Sequence, residues 1–253
     1  MQAFPQKPMT LMTLWQRSLH LWFETLPAVI IFNLMVALFK SLPFFSHVHS
    51  ALFSVMKNSQ ASQFLFDKKD FLLYGLVDVL NLIPSNAIWA YFIYFLMQKK
   101  IKTSQALAIS FLRFPKTLLW LGVNILILML MGYSFIYLKI NNFLFFLMIV
   151  FNVIFTVYSI LTPLFIIYKN DTVFNAFKKS IQHVQGQGGY TAIAMGVPLF
   201  FLSILTALVQ KNLGPVTEVV LITTVFHSMI LAFVMMLYIH HRCRHTINVT
   251  KNK

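Results

Sequence analysis

Residues 140 to 168 read INNFLFFLMIVFNVIFTVYSILTPLFIIY, with no Asp, Glu, Lys or Arg among them. Crossing ~30 Å of hydrocarbon takes about 20 helical residues, so this stretch is long enough to span a bilayer. It carries no charged face, which a helix on the surface of a water-soluble domain would need; Asn152, Thr156, Ser159 and Pro163 fall at i, i+4, i+7 and i+11 and read as interhelical hydrogen-bonding positions. Charge-free runs of the same kind cover 117 to 138, 180 to 210 and 219 to 241. The run from 79 to 98 is also long enough, and Phe71 to Val77 extends it outward past Asp78. A sixth, near Leu26 to Phe45, has a shorter uncharged core and requires the Lys40 amine to snorkel to the interface. The chain therefore reads as one all-α domain over 1-253, a polytopic membrane helix bundle with spans at about 26-45, 71-97, 117-138, 143-168, 189-210 and 217-240.

Composition agrees. Of 253 residues, 58% are hydrophobic and 10% charged, against about a quarter charged in soluble domains. Phe supplies 27 residues and Gly only 8, so helix packing rests on bulky side chains more than on close backbone approach. The net charge of +14 raises the question of nucleic acid, but the cations sit between apolar runs. Loops rich in Lys and Arg are retained on the cytoplasmic side of a membrane, which accounts for the charge without a phosphate partner. Cys243 is the lone cysteine, so no intramolecular disulfide forms. Glu24 interrupts the first apolar stretch and no small-residue cleavage pattern follows, so no cleaved signal peptide is expected.

Short connections at 139 to 142 and 210 to 215 make spans three and four, and five and six, antiparallel hairpins. Of the 20 Lys and Arg, fourteen fall in the N-terminal segment, 99 to 116, 169 to 179 and the C-terminal tail, against six on the other side. That asymmetry places both termini in the cytoplasm. The segments 10-23, 103-114 and 172-184 each begin near a capping Thr or Asp, mix apolar with basic residues and lead into an odd-numbered span, as cytoplasmic interfacial amphipathic helices do. In the third, Val173, Phe174, Phe177, Ile181 and Val184 recur at helical spacing. A pattern ending in Ser and an apolar residue recurs at Trp15 to Leu19, Leu107 to Phe111 and Phe177 to Ile181, a threefold repeat of amphipathic segment plus hairpin.

The stretch Leu161-Thr162-Pro163 through Asp171 to Ala176-Phe177-Lys178-Lys179-Ser180 resembles the YciC-like family of uncharacterised bacterial inner-membrane proteins. More distantly it resembles the membrane domain of some glycerophosphodiester phosphodiesterases. In those proteins a Pro near the end of span four precedes a basic helix ending in Ser, and Pro163, Lys178 and Ser180 match. Phe114-Pro115-Lys116 at the entry to span three is a second likeness. The larger Phe content and the polar run in span two depart from the family. The resemblance implies a bacterial cytoplasmic membrane and no established activity.

Asp78 is the carboxylate placed inside a span, and intramembrane ionisable groups are costly and are functional candidates by default. Tyr74, Asp78, Asn81 and Ser85 follow at i, i+4, i+7 and i+11, on one helix face. Pro84 removes a hydrogen bond to the Leu80 carbonyl and is expected to kink the span. His227 in span six, with Thr223, Thr224 and Ser228 nearby, reads first as a neutral His hydrogen-bonded between helices, with a proton relay from Asp78 as the alternative. Pro163 and Pro198 are expected kinks in spans four and five. His240, His241, Cys243 and His245 match no zinc spacing, and with Arg242 and Arg244 they read as a headgroup anchor, as do Lys99, Lys100, Lys102, Lys178 and Lys179. Acidic residues at 24, 67, 70, 78, 171 and 218 form no pair for acid-base work, so no enzyme, metal or cofactor is expected. The expected partner is the lipid bilayer, any membrane-protein partner being left open by the sequence, and no nucleic acid is expected. The function expected is that of an envelope protein acting through lipid or partner contacts; the alternative is a small-solute or proton-coupled transporter using the polar face of span two.

Overall fold

The computed structural model describes residues 8–45, 68–137, 142–213 and 215–251. They form α1 (Leu11–Phe45), α2 (Lys68–Leu96), α3 (Thr103–Tyr137), α4 (Asn142–Ser159), α5 (Thr162–Lys169), α6 (Val173–Val184), α7 (Gly188–Leu213) and α8 (Pro215–Lys251). There is no strand among the described residues. Six helical stretches are long and apolar enough to cross a membrane: Leu11–Ser41, Gly75–Leu96, Thr103–Ile127, Phe146–Lys169, Gly188–Val209 and Val220–Arg244. The fold is an all-α polytopic bundle. Residues 139 to 141 of the expected hairpin turn lie outside the described residues.

Two expected boundaries move. Segments 10-23 and 103-114 are not separate helices but the first turns of α1 and α3, each 35 residues and continuous with its span. At 1.5 Å per residue each is about 52 Å long, well beyond the hydrocarbon thickness. The prolines at Pro27 and Pro115 do not divide them, because freed backbone groups in such helices find other partners. Segment 172-184 does stand alone as α6, and span four divides into α4 and α5 before Pro163, which sits in the first turn of α5.

The division is held by one hydroxyl. Ser180 of α6 donates to the Tyr158 carbonyl (2.6 Å) and accepts from the Leu161 N–H (3.2 Å), taking up backbone groups at the break. Beside Pro84, Ser110 of α3 donates to the Ile83 carbonyl at 2.6 Å. Both serines are fully buried. The first amphipathic segment docks on the last hairpin. The Met9 N–H donates to His240 Nδ1 (3.0 Å), Tyr190 donates to the Met9 carbonyl (3.0 Å), and Trp15 Nε1 donates to the Ala194 carbonyl (3.1 Å). Each amphipathic segment thus seats on an earlier element in a cyclic order, with the first turns of α1 closing on α7 and α8.

α6 begins with Thr172, whose hydroxyl accepts from the Asn175 N–H, and Asp171 pairs with Lys179 at 2.7 Å. Its buried side is Ala176, Ser180 and Val184, whereas Phe174, expected on the apolar face, is 74% exposed. Small side chains let α6 approach the α4–α5 break closely, and Phe174 is left to the bilayer. α1 packs most extensively on α8, and α2 joins both while also carrying α3. Phe32, Ile88, Phe92, Phe165 and Leu237 fill the resulting core. α7 leans on α8 with only 11% of its span buried, against 56% for α8; Phe200, Phe201, Ile204 and Leu208 face outward, where lipid tails are as apolar as they are.

Candidate intramembrane polar site

Where α1, α2 and α8 meet, the apolar core gives way to a polar layer. Asn33, fully buried on α1, donates from Nδ2 to Ser228 Oγ on α8 at 2.7 Å. One residue earlier on α8, His227 Nε2 lies 3.0 Å from Ser85 Oγ on α2. Ser85 also donates to the Asn81 carbonyl at 2.7 Å. A hydroxyl has one proton, so Nε2 of His227 is the donor of the pair and the imidazole bridges α8 to α2.

One turn before Ser85 on α2, Asn81 is 8% exposed, and neither atom of its carboxamide has a partner. Thr224 Oγ1, one turn before Ser228, is also buried and unpartnered, as is Asn33 Oδ1. Because α2 and α8 descend together from Ser85 and His227, Asn81 and Thr224 stand at one level. Asp78 lies seven residues before Ser85 and Lys40 seven after Asn33, each about 10 Å from the layer at the helical rise. The two therefore stand at about one level on packed neighbouring helices.

Of the residues singled out in the sequence, the fold brings Asn81, Ser85 and His227 together, while His227 bonds to Ser85 and not to Asp78. The chain matches no protein-family model, no curated protein and no solved structure. Chemistry at the site therefore rests on its own geometry: amides, hydroxyls and one imidazole, a set that can bind by hydrogen bonds or pass a proton.

Pro84 is buried inside α2, Pro163 sits at the α4–α5 break, and Pro198 is half-buried in an α7 that continues through it. Lys99, Lys100, Lys102, Lys178, Arg242 and Arg244 are exposed at one end of the bundle, and Lys179 holds Asp171. At that end His240 stacks on Tyr190 with ring centroids 4.2 Å apart, and His241 Nε2 lies 2.9 Å from Thr191 Oγ1. These rings are structural members holding α8 to α7 and to the chain's start. Among the described residues no three His, Cys, Asp or Glu are grouped to hold a metal.

Sequence reading missed Asn33 and its pairing with Ser228, and the Asn86 to Thr117 bond (2.9 Å) that ties α2 to α3. The signal was present for Asn33, a single amide in an otherwise apolar run. Spacing along one helix does not say which other helix it meets.

Proposed function

We propose that the chain is a multi-pass protein of the bacterial cytoplasmic membrane, with both termini in the cytoplasm, that performs no catalysis and acts by contact with lipid and with other membrane proteins. The observation that carries it is the bond from Met9 to His240, which puts the chain's start and the end of α8 at one end of the bundle, the end that also carries the exposed basic residues. Cations there match anionic headgroups and the cytoplasmic bias of Lys and Arg. The YciC-like resemblance over residues 161 to 180 supports the same compartment. Reporter fusions at positions 105, 175 and 253 should read cytoplasmic and those at 60, 140 and 212 external; the reverse pattern overturns the orientation.

A second reading, a small-solute or proton-coupled transporter, is favoured by one observation: Asn81, buried with its whole carboxamide unpartnered. Asp78→Asn in a deletion strain tests it. Full complementation of every deletion phenotype removes Asp78 from the function.

A further inference from the structure

The packing of α1, α2 and α8 leaves buried polar atoms without partners on Asn81 and Thr224 and, a turn deeper, on Asn33. Asn81 lacks all of its hydrogen bonds, Asn33 lacks its acceptor's and Thr224 its hydroxyl's. A buried polar group without a partner is destabilising, and nothing in the helices' own backbone needs these side chains. Together they present donors and acceptors that waters or one small polar solute would satisfy, an ordered water needing two to four such partners.

Exposure gives the direction. Asp78, above the layer, is exposed, and Lys40 beside it on α1 is exposed too; Asn81 and Ser85 lie on the same face of α2 as Asp78. Below the layer the route is shut. Ile88 and Phe92 on α2, Val29 on α1 and Ala232 and Phe233 on α8 are buried side chains of the apolar core, and the Ser85–His227 and Asn33–Ser228 bonds join the three helices above them.

We propose that Lys40, Asp78, Asn81 and Thr224 line a water-filled inlet that opens at the bundle end opposite the two termini, ends on Asn33 and His227, and takes small uncharged polar solutes. The lining carries one cation and one anion, so a charged solute gains no net attraction, while amides and a hydroxyl recognise hydroxyl, amide or urea-like groups. The inlet deepens the transporter reading by naming side and solute class. Its geometry is defined against the chain termini and does not depend on which compartment they occupy.

Cysteine labelling tests it. In a Cys243→Ser background reconstituted in liposomes, Asn81→Cys and Thr224→Cys should react with a membrane-impermeant methanethiosulfonate added on the side away from the termini, because a thiol ionises and reacts only where water reaches it. Ile88→Cys and Ala232→Cys should not react. Silence at both 81 and 224, or reaction from the side of the termini, overturns the inlet. Trimethylammonium and sulfonate reagents of equal size should label position 81 at rates within about tenfold of each other, since a like-signed cleft would bias them more strongly; a larger bias overturns the uncharged class. Should the variants not fold, hydroxyl-radical footprinting of the unaltered protein gives the same answer. His227 should oxidise faster than Trp89 despite the greater intrinsic reactivity of indole, and the opposite order overturns the proposal. Labelling of the inlet together with full complementation by Asp78→Asn would retain the site and discard the transport role of that residue.

Discussion

Ser180 shows how much one side chain can decide. Its hydroxyl serves both the Tyr158 carbonyl and the Leu161 N–H, so Ser180→Ala leaves a buried donor and a buried acceptor unmet, at a cost of about 1–3 kcal/mol. A thermal-stability assay in detergent should show a clear drop, whereas Ser203→Ala, exposed and bonded only within α7, should change little. Asn81 and Asn33 make an opposite pair. Asn33→Leu breaks the 2.7 Å bond to Ser228, a class of contact worth ~0.6 kcal/mol on average between membrane helices. Asn81→Leu removes only unpartnered atoms and should leave the melting temperature unchanged or raised, as expected of a side chain kept for something other than stability. A fall in melting temperature for Asn81→Leu equal to that of Asn33→Leu would mean the amide is structural after all.

Among the elements, α1 departs most from its sequence description. Its first turns were expected to lie in the interface, yet they continue the span and dock on α7 and α8 through Met9, Trp15 and Tyr190. His240→Ala removes both the acceptor for the Met9 N–H and the ring stacked on Tyr190. Amide exchange in the first turns of α1 should then accelerate, while the α4–α5 break, held by Ser180, keeps its protection. α6 teaches a related point. Helical spacing identified an amphipathic helix, but the buried side centres on Ala176, Ser180 and Val184 and excludes Phe174, since a helix seated against a broken partner needs small residues at the contact.

The whole molecule has a dense side and a sparse side. α1, α2 and α8 enclose the core, while α7 and the outer faces of α3 and α4 meet the surroundings with Leu119, Phe146, Phe151 and Phe201. With the four native Trp residues changed to Phe, Phe201→Trp and Phe151→Trp should be strongly quenched by brominated acyl chains and Phe165→Trp only weakly; equal quenching at all three would contradict the arrangement. Six apolar stretches of sufficient length were legible without any structure, because spanning a bilayer imposes a length and a charge exclusion that each segment satisfies by itself. The polar face of α2 was legible for the same reason, periodicity being local. Which helix meets which was not, and so neither the pairing of His227 with Ser85 nor the part played by Asn33 and Ser228 could be read in advance. Partner choice among apolar helices depends on the fit of side chains from distant parts of the chain, and that fit exists only once α1, α2 and α8 have come together.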